Sequence, residues 1–167
     1  RLAKAPVVLL HDADLMPPSC YVESILEKIE KGWEAVRPVR FASLLDQRAT
    51  ETLLDCNCQF LPKSVDEVQA NNPGHSTAVT KDAYWRIGGH DESFEGWGGE
   101  DWEFLDRLQT VRLMKGSYCP AIHLWHASAP KKQDGDKNAD LVREKAQHSA
   151  FEDRKSTRLN SSHVSIS

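Results

Sequence analysis

Five glycines, Gly88, Gly89, Gly96, Gly98 and Gly99, crowd the stretch GGHDESFEGWGGEDWEF at residues 88–104. Each glycine costs a regular element about 0.5–1 kcal/mol in backbone entropy, so neither a helix nor a strand runs through this stretch. The chain must turn here, between one helix that stops at Gly88 and another that starts near Glu100. Upstream, Thr80 is placed to cap the helix KDAYWRI. Downstream, Phe104, Leu105 and Leu108 form the apolar stripe of a helix from Glu100 to about Gln109, and Asp101 falls on the same side. Glu103 and Arg107 form an i, i+4 pair on the opposite face. Helix N-termini favour acids by about 0.3–1 kcal/mol, which accounts for Asp101 as a dipole partner. It does not account for Trp97 and Trp102. These read either as core aromatics or as flat faces for a ligand that the glycines let approach the backbone.

The rest of the chain alternates strand and helix signals, which makes it α/β. PVVLLHDAD (6–14) is a continuous apolar run with the pattern of a buried parallel strand. After Pro17 and Pro18, the spacing of Val22, Ile25, Leu26 and Ile29 predicts a helix closed by Gly32. Residues 34–40 read as a short strand, irregular or at an edge because of Pro38. A helix is expected from Phe41 to Leu54, a strand at 75–80, a strand pair near 116–126 and a last helix around 137–150. The Ser-rich stretch from Asp153 resembles vector-derived read-through, so residues 151–167 are expected to be a non-native, disordered tail.

Three sets of residues could carry chemistry. Asp12 and Asp14 sit two apart at a strand end, where their carboxylates can point the same way. Such a pair suits Mg²⁺ or Mn²⁺, although acids there can also simply end a strand before Pro17. His123 and His126 share a metal only if the strand turns at Leu124–Trp125, because along a continuous strand they face opposite sides. Lys131 and Lys132 are solvated charges or, beside a metal, partners for phosphate oxygens. A formal net charge of −4 gives no basic footprint for nucleic acid. Cys20, Cys56, Cys58 and Cys119 lack paired metal spacing, so reduced thiols and a cytoplasmic compartment are expected.

In company, LLHDADLMPP, PGHSTAVTKDAYWRIGGHDESFEGWGGEDWEFLDRL and HLWHASAPKK resemble the carboxy-terminal half of GT-A-fold glycosyltransferases of the β-galactosyltransferase and N-acetylgalactosaminyltransferase kind. The resemblance runs to about residue 150 and implies a GT-A-like mixed sheet flanked by helices. Residues 1–150 would then be the catalytic and acceptor part, truncated ahead of Arg1, where the nucleotide-binding half would lie. It further implies Asp14 and His126 as ligands of Mn²⁺ or Mg²⁺, with His123 at a position where the family often has another ligand. Asp12 would contact the donor or its ribose. Trp97, Gly98 and Gly99 would line the sugar pocket, and Glu100 would bond sugar hydroxyls. Asp101 would be the base of an inverting enzyme that moves Gal or GalNAc from a UDP-sugar to a glycan hydroxyl. Two positions depart from the pattern: Trp102 stands where lactose-type enzymes carry an acid, and His90 where Phe is common. The competing expectations are a non-catalytic, metal-dependent carbohydrate-binding module, an inactive transferase fragment, and a metal-dependent hydrolase built on Asp12, Asp14 and the histidines.

Overall fold

The computed structural model describes residues 3–58, 65–115, 119–127 and 138–146. The chain forms two compact units, residues 1–89 with 105–128 and residues 90–104 with 129–167. The first unit holds all eight strands found among the described residues: β1 (Val7–His11), β2 (Leu15–Met16), β3 (Ala35–Val36), β4 (Val39–Leu44), β5 (Glu67–Ala70), β6 (Ser76–Thr80), β7 (Leu113–Met114) and β8 (Cys119–His123). With them go helices α1 (Tyr21–Glu30), α2 (Gln47–Asp55) and α3 (Lys81–Arg86). Helix α4 (Glu100–Leu108) spans the division between the units, and residues 138–146 of the second unit are helical.

Two mixed four-stranded sheets result, ordered β1-β6-β3-β7 and β2-β8-β4-β5. Pro38 separates them. Proline has no N–H to give a ladder, so one sheet's strand ends and the other's begins across it. The stretch 34–40 is therefore two strand pieces in different sheets, not one irregular edge strand. β3 lies inside its sheet, with Ala35 and Val36 fully buried, between antiparallel β6 and parallel β7.

Three further expectations change. β1 is antiparallel to β6 and lies at the sheet edge, with Leu9 41% exposed. A run of apolar residues does not encode which strand it will pair with, nor in which direction. The strand buried on both faces is β6, where Ser76, Thr77, Ala78 and Val79 are all buried. Second, the helix expected from Phe41 begins only at Gln47, because β4 is paired on both sides, parallel to β8 and antiparallel to β5. Asp46 marks the true start, its carboxylate accepting from Ala49 N at 2.7 Å. Third, β7 and β8 are not a pair; they sit in different sheets.

Other local signals hold. Thr80 caps α3 by accepting from Ala83 N, and α4 starts at Glu100. Arg107, on the face of α4 opposite the apolar stripe, is half-buried and donates to the carbonyls of Ile87 and Gly89 at 2.6 and 2.5 Å, tying off the end of α3. Helix α1 buries a narrower stripe than expected: Tyr21 and Ile25 are inside and Ile29 packs against the core, while Val22 and Leu26 are exposed. That core joins α1 to both sheets through Leu15, Val36, Val39, Ala78, Cys119 and Ala121. No disulfide joins the four cysteines. Among the described residues, no helix is long and apolar enough to cross a membrane.

Candidate functional site

The Asp12–Asp14 turn is built by its neighbours' backbones. β1 ends at His11, and Asp12 N then donates to His75 O at 3.2 Å. Leu15 N closes the turn on Asp12 O at 3.1 Å, and Leu15 opens β2, directly opposite His123 of β8. Leu124 N donates to Asp14 O at 2.8 Å, so the aspartate and the histidine segment are stitched together residue by residue.

β8 stops at His123, which resolves the geometry of the two histidines. Beyond it the chain leaves the ladder, and Trp125 N is held by Thr50 Oγ1 of α2 at 2.8 Å. Both imidazoles thereby reach Asp14: His123 Nε2 lies 3.7 Å from Oδ1 and His126 Nε2 3.2 Å from Oδ2. One ligand atom from each of the three residues falls within 4.8 Å of the others. Two donors about 2.1 Å from a shared ion stand roughly 3.0–3.4 Å apart, so these separations are near what an ion requires.

The hydrogen bonds leave the inner nitrogens available to a cation. His123 Nδ1 bonds Leu124 O at 2.9 Å and His126 Nδ1 bonds Ala127 O at 3.0 Å. A carbonyl only accepts, so Nδ1 of each ring carries the proton and a neutral ring turns the Nε2 lone pair toward Asp14. Lone pairs facing a carboxylate repel unless a proton or a metal ion lies between them. Backbone carbonyls that fix the outer nitrogen are the usual second layer of a metal site. Asp12, two residues earlier in the turn, is raised above its ordinary value by burial and then by the charge of Asp14. A divalent cation would relieve that repulsion. The three donors thus fit a divalent ion, and nitrogen with oxygen ligands suits a first-row metal such as Mn²⁺ better than Mg²⁺.

His75, unremarked in the sequence, is buried with its ring 5.8 Å from that of His123. Burial, then the neighbouring His123, pushes it down to about 4, so it is neutral at physiological pH. Only the β1–β6 pairing brings it here, and no local pattern announces it.

The glycine loop belongs to the second unit. Gly96, Gly98 and Gly99 all take positive φ, between +81° and +94°. A Cβ on Gly99 would meet Val142, Phe94 and Asn138 at 3.0–3.2 Å, whereas one on Gly98 would meet nothing within 4 Å. So Gly99 permits close packing of the chain on itself, and Gly98 leaves open space. Asn138, buried and without a sequence signal, donates to the carbonyls of Glu95 and Trp97 at 3.1 and 3.2 Å and holds the loop's shape. Lys145 pairs with Asp91, which Lys145 and the Ser93 donors hold well below the usual carboxylate range.

Trp97 and Trp102 are 49% and 59% exposed, which removes the reading of them as core aromatics. Asp101 is half-buried in the first turn of α4, above the buried Phe104 and Leu108 of the same stripe. Glu100 is half-buried beside it, and its Oε2 is buried without a hydrogen-bond partner among the described residues. A buried carboxylate oxygen left unpaired is costly, and a ligand hydroxyl would satisfy it. Lys131 and Lys132 lie outside the described residues.

Residues 69–125 match the family model described as the N-terminal domain of galactosyltransferase, which supports a galactosyltransferase-type domain and hence glycosyltransferase chemistry. That span contains Trp97 to Asp101 and His123. Asp12 and Asp14 precede it and His126 follows it, so two of the three donors of the cluster lie outside the matched span. No curated protein matches the chain.

Proposed function

We propose that this chain is the metal-holding and acceptor part of an inverting, GT-A-type glycosyltransferase that moves Gal or GalNAc from a UDP-sugar to a glycan hydroxyl. The observation that carries the reading is the convergence of Asp14, His123 and His126, separated in sequence, within ligand reach of one another. The family match over residues 69–125 supports the transferase class independently.

Asp14, His123 and His126 would hold Mn²⁺ or Mg²⁺, and the bound ion would supply Lewis-acid charge to the departing diphosphate. Asp12, held in the same turn, would accept hydrogen bonds from donor hydroxyls. In the glycine loop, the exposed indole of Trp97 offers a flat apolar face to a sugar's C–H groups, and Gly98 lets the ring approach the backbone. Glu100 Oε2 would accept from a sugar hydroxyl, which ends its isolation.

Asp101 would take the acceptor hydroxyl's proton as that oxygen bonds the anomeric carbon. The bond from that carbon to the diphosphate oxygen breaks in the same step, and UDP leaves with the electron pair. A single displacement from the opposite face turns an α-linked donor into a β-linked product. The first turn of α4 suits this role, since the helix N-terminus favours an ionised carboxylate there.

The test compares wild type, Asp101→Asn and Asp14→Ala with UDP-Gal and UDP-GalNAc, with and without Mn²⁺. Asp101→Asn should bind donor as wild type does and lose transfer, and Asp14→Ala should lose metal-dependent donor binding. NMR of the product should show the β-anomer. Near-normal turnover by Asp101→Asn would refute the base assignment, and donor binding indifferent to metal would refute the site.

A further inference from the structure

We propose that His11 is a positioning residue for the metal-ligand turn, acting through a partly buried relay from Tyr21 and Ser76 to the carbonyl of Leu15. His11 is the last residue of β1, paired in register with Ser76 at the start of β6. Its Nε2 lies 2.9 Å from Leu15 O. Because that carbonyl only accepts, Nε2 carries the proton and Nδ1 is left to accept. Two hydroxyls offer it a proton: Ser76 Oγ at 3.1 Å and Tyr21 OH at 3.3 Å. Tyr21 OH and Ser76 Oγ are also hydrogen-bonded to each other.

The Ser76 hydroxyl also has Leu10 O within reach at 3.3 Å, and when it donates there Tyr21 donates to His11 Nδ1 instead, so the imidazole receives a proton in either arrangement. The shorter contact, Ser76 Oγ to His11 Nδ1, gives the following relay. Tyr21 donates to Ser76, Ser76 donates to His11 Nδ1, and His11 Nε2–H donates to Leu15 O. Burial pushes the Tyr21 phenol up to about 12, so it remains a donor throughout the physiological range. The relay draws on β1, β6, α1 and β2.

Its endpoint gives it a function. His11 and Leu15 bracket Asp12-Ala13-Asp14, so the imidazole closes from outside the same turn that Leu15 N closes from within. Leu15 is also the residue that β2 sets opposite His123. Fixing the Leu15 carbonyl therefore fixes the chain on both sides of the Asp14 carboxylate, at the distance where it meets both histidines. Without the clamp the turn keeps its backbone bonds but gains freedom, and the carboxylate must be ordered when the ion binds. Groups that orient metal ligands in this way typically contribute about 10–100-fold to affinity.

This inference rests on the metal reading, and the test separates the two. Mn²⁺ is titrated calorimetrically into the full chain for wild type, His11→Phe and His11→Gln, with thermal melts alongside. His11→Phe keeps a ring and removes both hydrogen bonds; His11→Gln keeps an N–H able to reach Leu15 O. His11→Val, at home at a strand end, replaces the phenylalanine variant if that one does not fold. The expected result is Mn²⁺ affinity about tenfold weaker in the apolar variant and recovered to within about threefold of wild type in His11→Gln. An apolar variant that binds Mn²⁺ as wild type does overturns the proposal, as does a glutamine variant no better than the apolar one. Failure of wild type itself to bind Mn²⁺ overturns the metal reading, and the clamp's role with it.

Discussion

Gly98 and Gly99 stand side by side in one loop with nearly the same backbone, φ +93° and +94°, yet alanine should affect them differently. The shared cost comes from the left-handed backbone, about 1–2 kcal/mol for an L-residue. The shared benefit, a less flexible unfolded chain, is about 0.4–1 kcal/mol and cancels in the comparison. What differs is space. At Gly99 the new methyl would stand 3.0 Å from Val142 Cγ2, 3.1 Å from Phe94 Cε1 and 3.2 Å from Asn138 Cβ. Carbon atoms rest at about 3.5–4.0 Å, and three such contacts at once are overpacking worth roughly 1–3 kcal/mol. At Gly98 the methyl meets nothing within 4 Å. Gly99→Ala should therefore be less stable than Gly98→Ala by about 1–3 kcal/mol in urea unfolding at constant m-value. Ligand binding should show the reverse pattern, with Gly98→Ala folding well and losing sugar-nucleotide affinity through the filled space. Equal urea midpoints, or a costlier Gly98→Ala, would refute the packing account of this loop.

Further expectations concern pH, the metal and the packing. His75 has a folded value near 4 against 6.5 unfolded, so the unfolded chain binds the extra proton between them. Stability from this group is complete above 6.5 and lost as pH falls toward 4, by up to about 3 kcal/mol; in metal-free buffer His75→Phe should flatten that slope in denaturant titrations. Asp14→Asn should weaken Mn²⁺ by at least about tenfold in calorimetry while leaving the fold intact by circular dichroism. Asn138→Asp sets a carboxylate against the carbonyls of Glu95 and Trp97 and should cost about 2 kcal/mol or more, with a shift in tryptophan fluorescence. Ile25→Ala empties a buried position on α1 and should cost about 2–5 kcal/mol in the same unfolding assay.

What could be read from the chain alone was local. Thr80 as a cap, Gly88 as a stop and Glu100 as a helix start each depend on a few neighbouring residues, and each is where it was expected. The candidate metal donors were legible as types, one acid and two histidines, because a ligand's chemistry belongs to its side chain. Whether His123 and His126 could act together was not legible. It turned on β8 ending at His123, and strands end where their partners do.

The remaining misreadings share that cause. β1 and β4 carry apolar patterns compatible with several structures, and only their partners decided edge from centre and strand from helix. Residues 65 positions apart, His11 and Ser76, share a hydrogen bond because two strands pair in one register. Short-range propensity is set by each residue's own backbone and side chain, so sequence determined the cap of α3, the start of α4 and the inventory of reactive groups. Which groups meet depends on long-range pairing that buries both partners at once, and tertiary structure alone decided that: it brought Asp14 to two histidines and set His11 behind the turn that holds it.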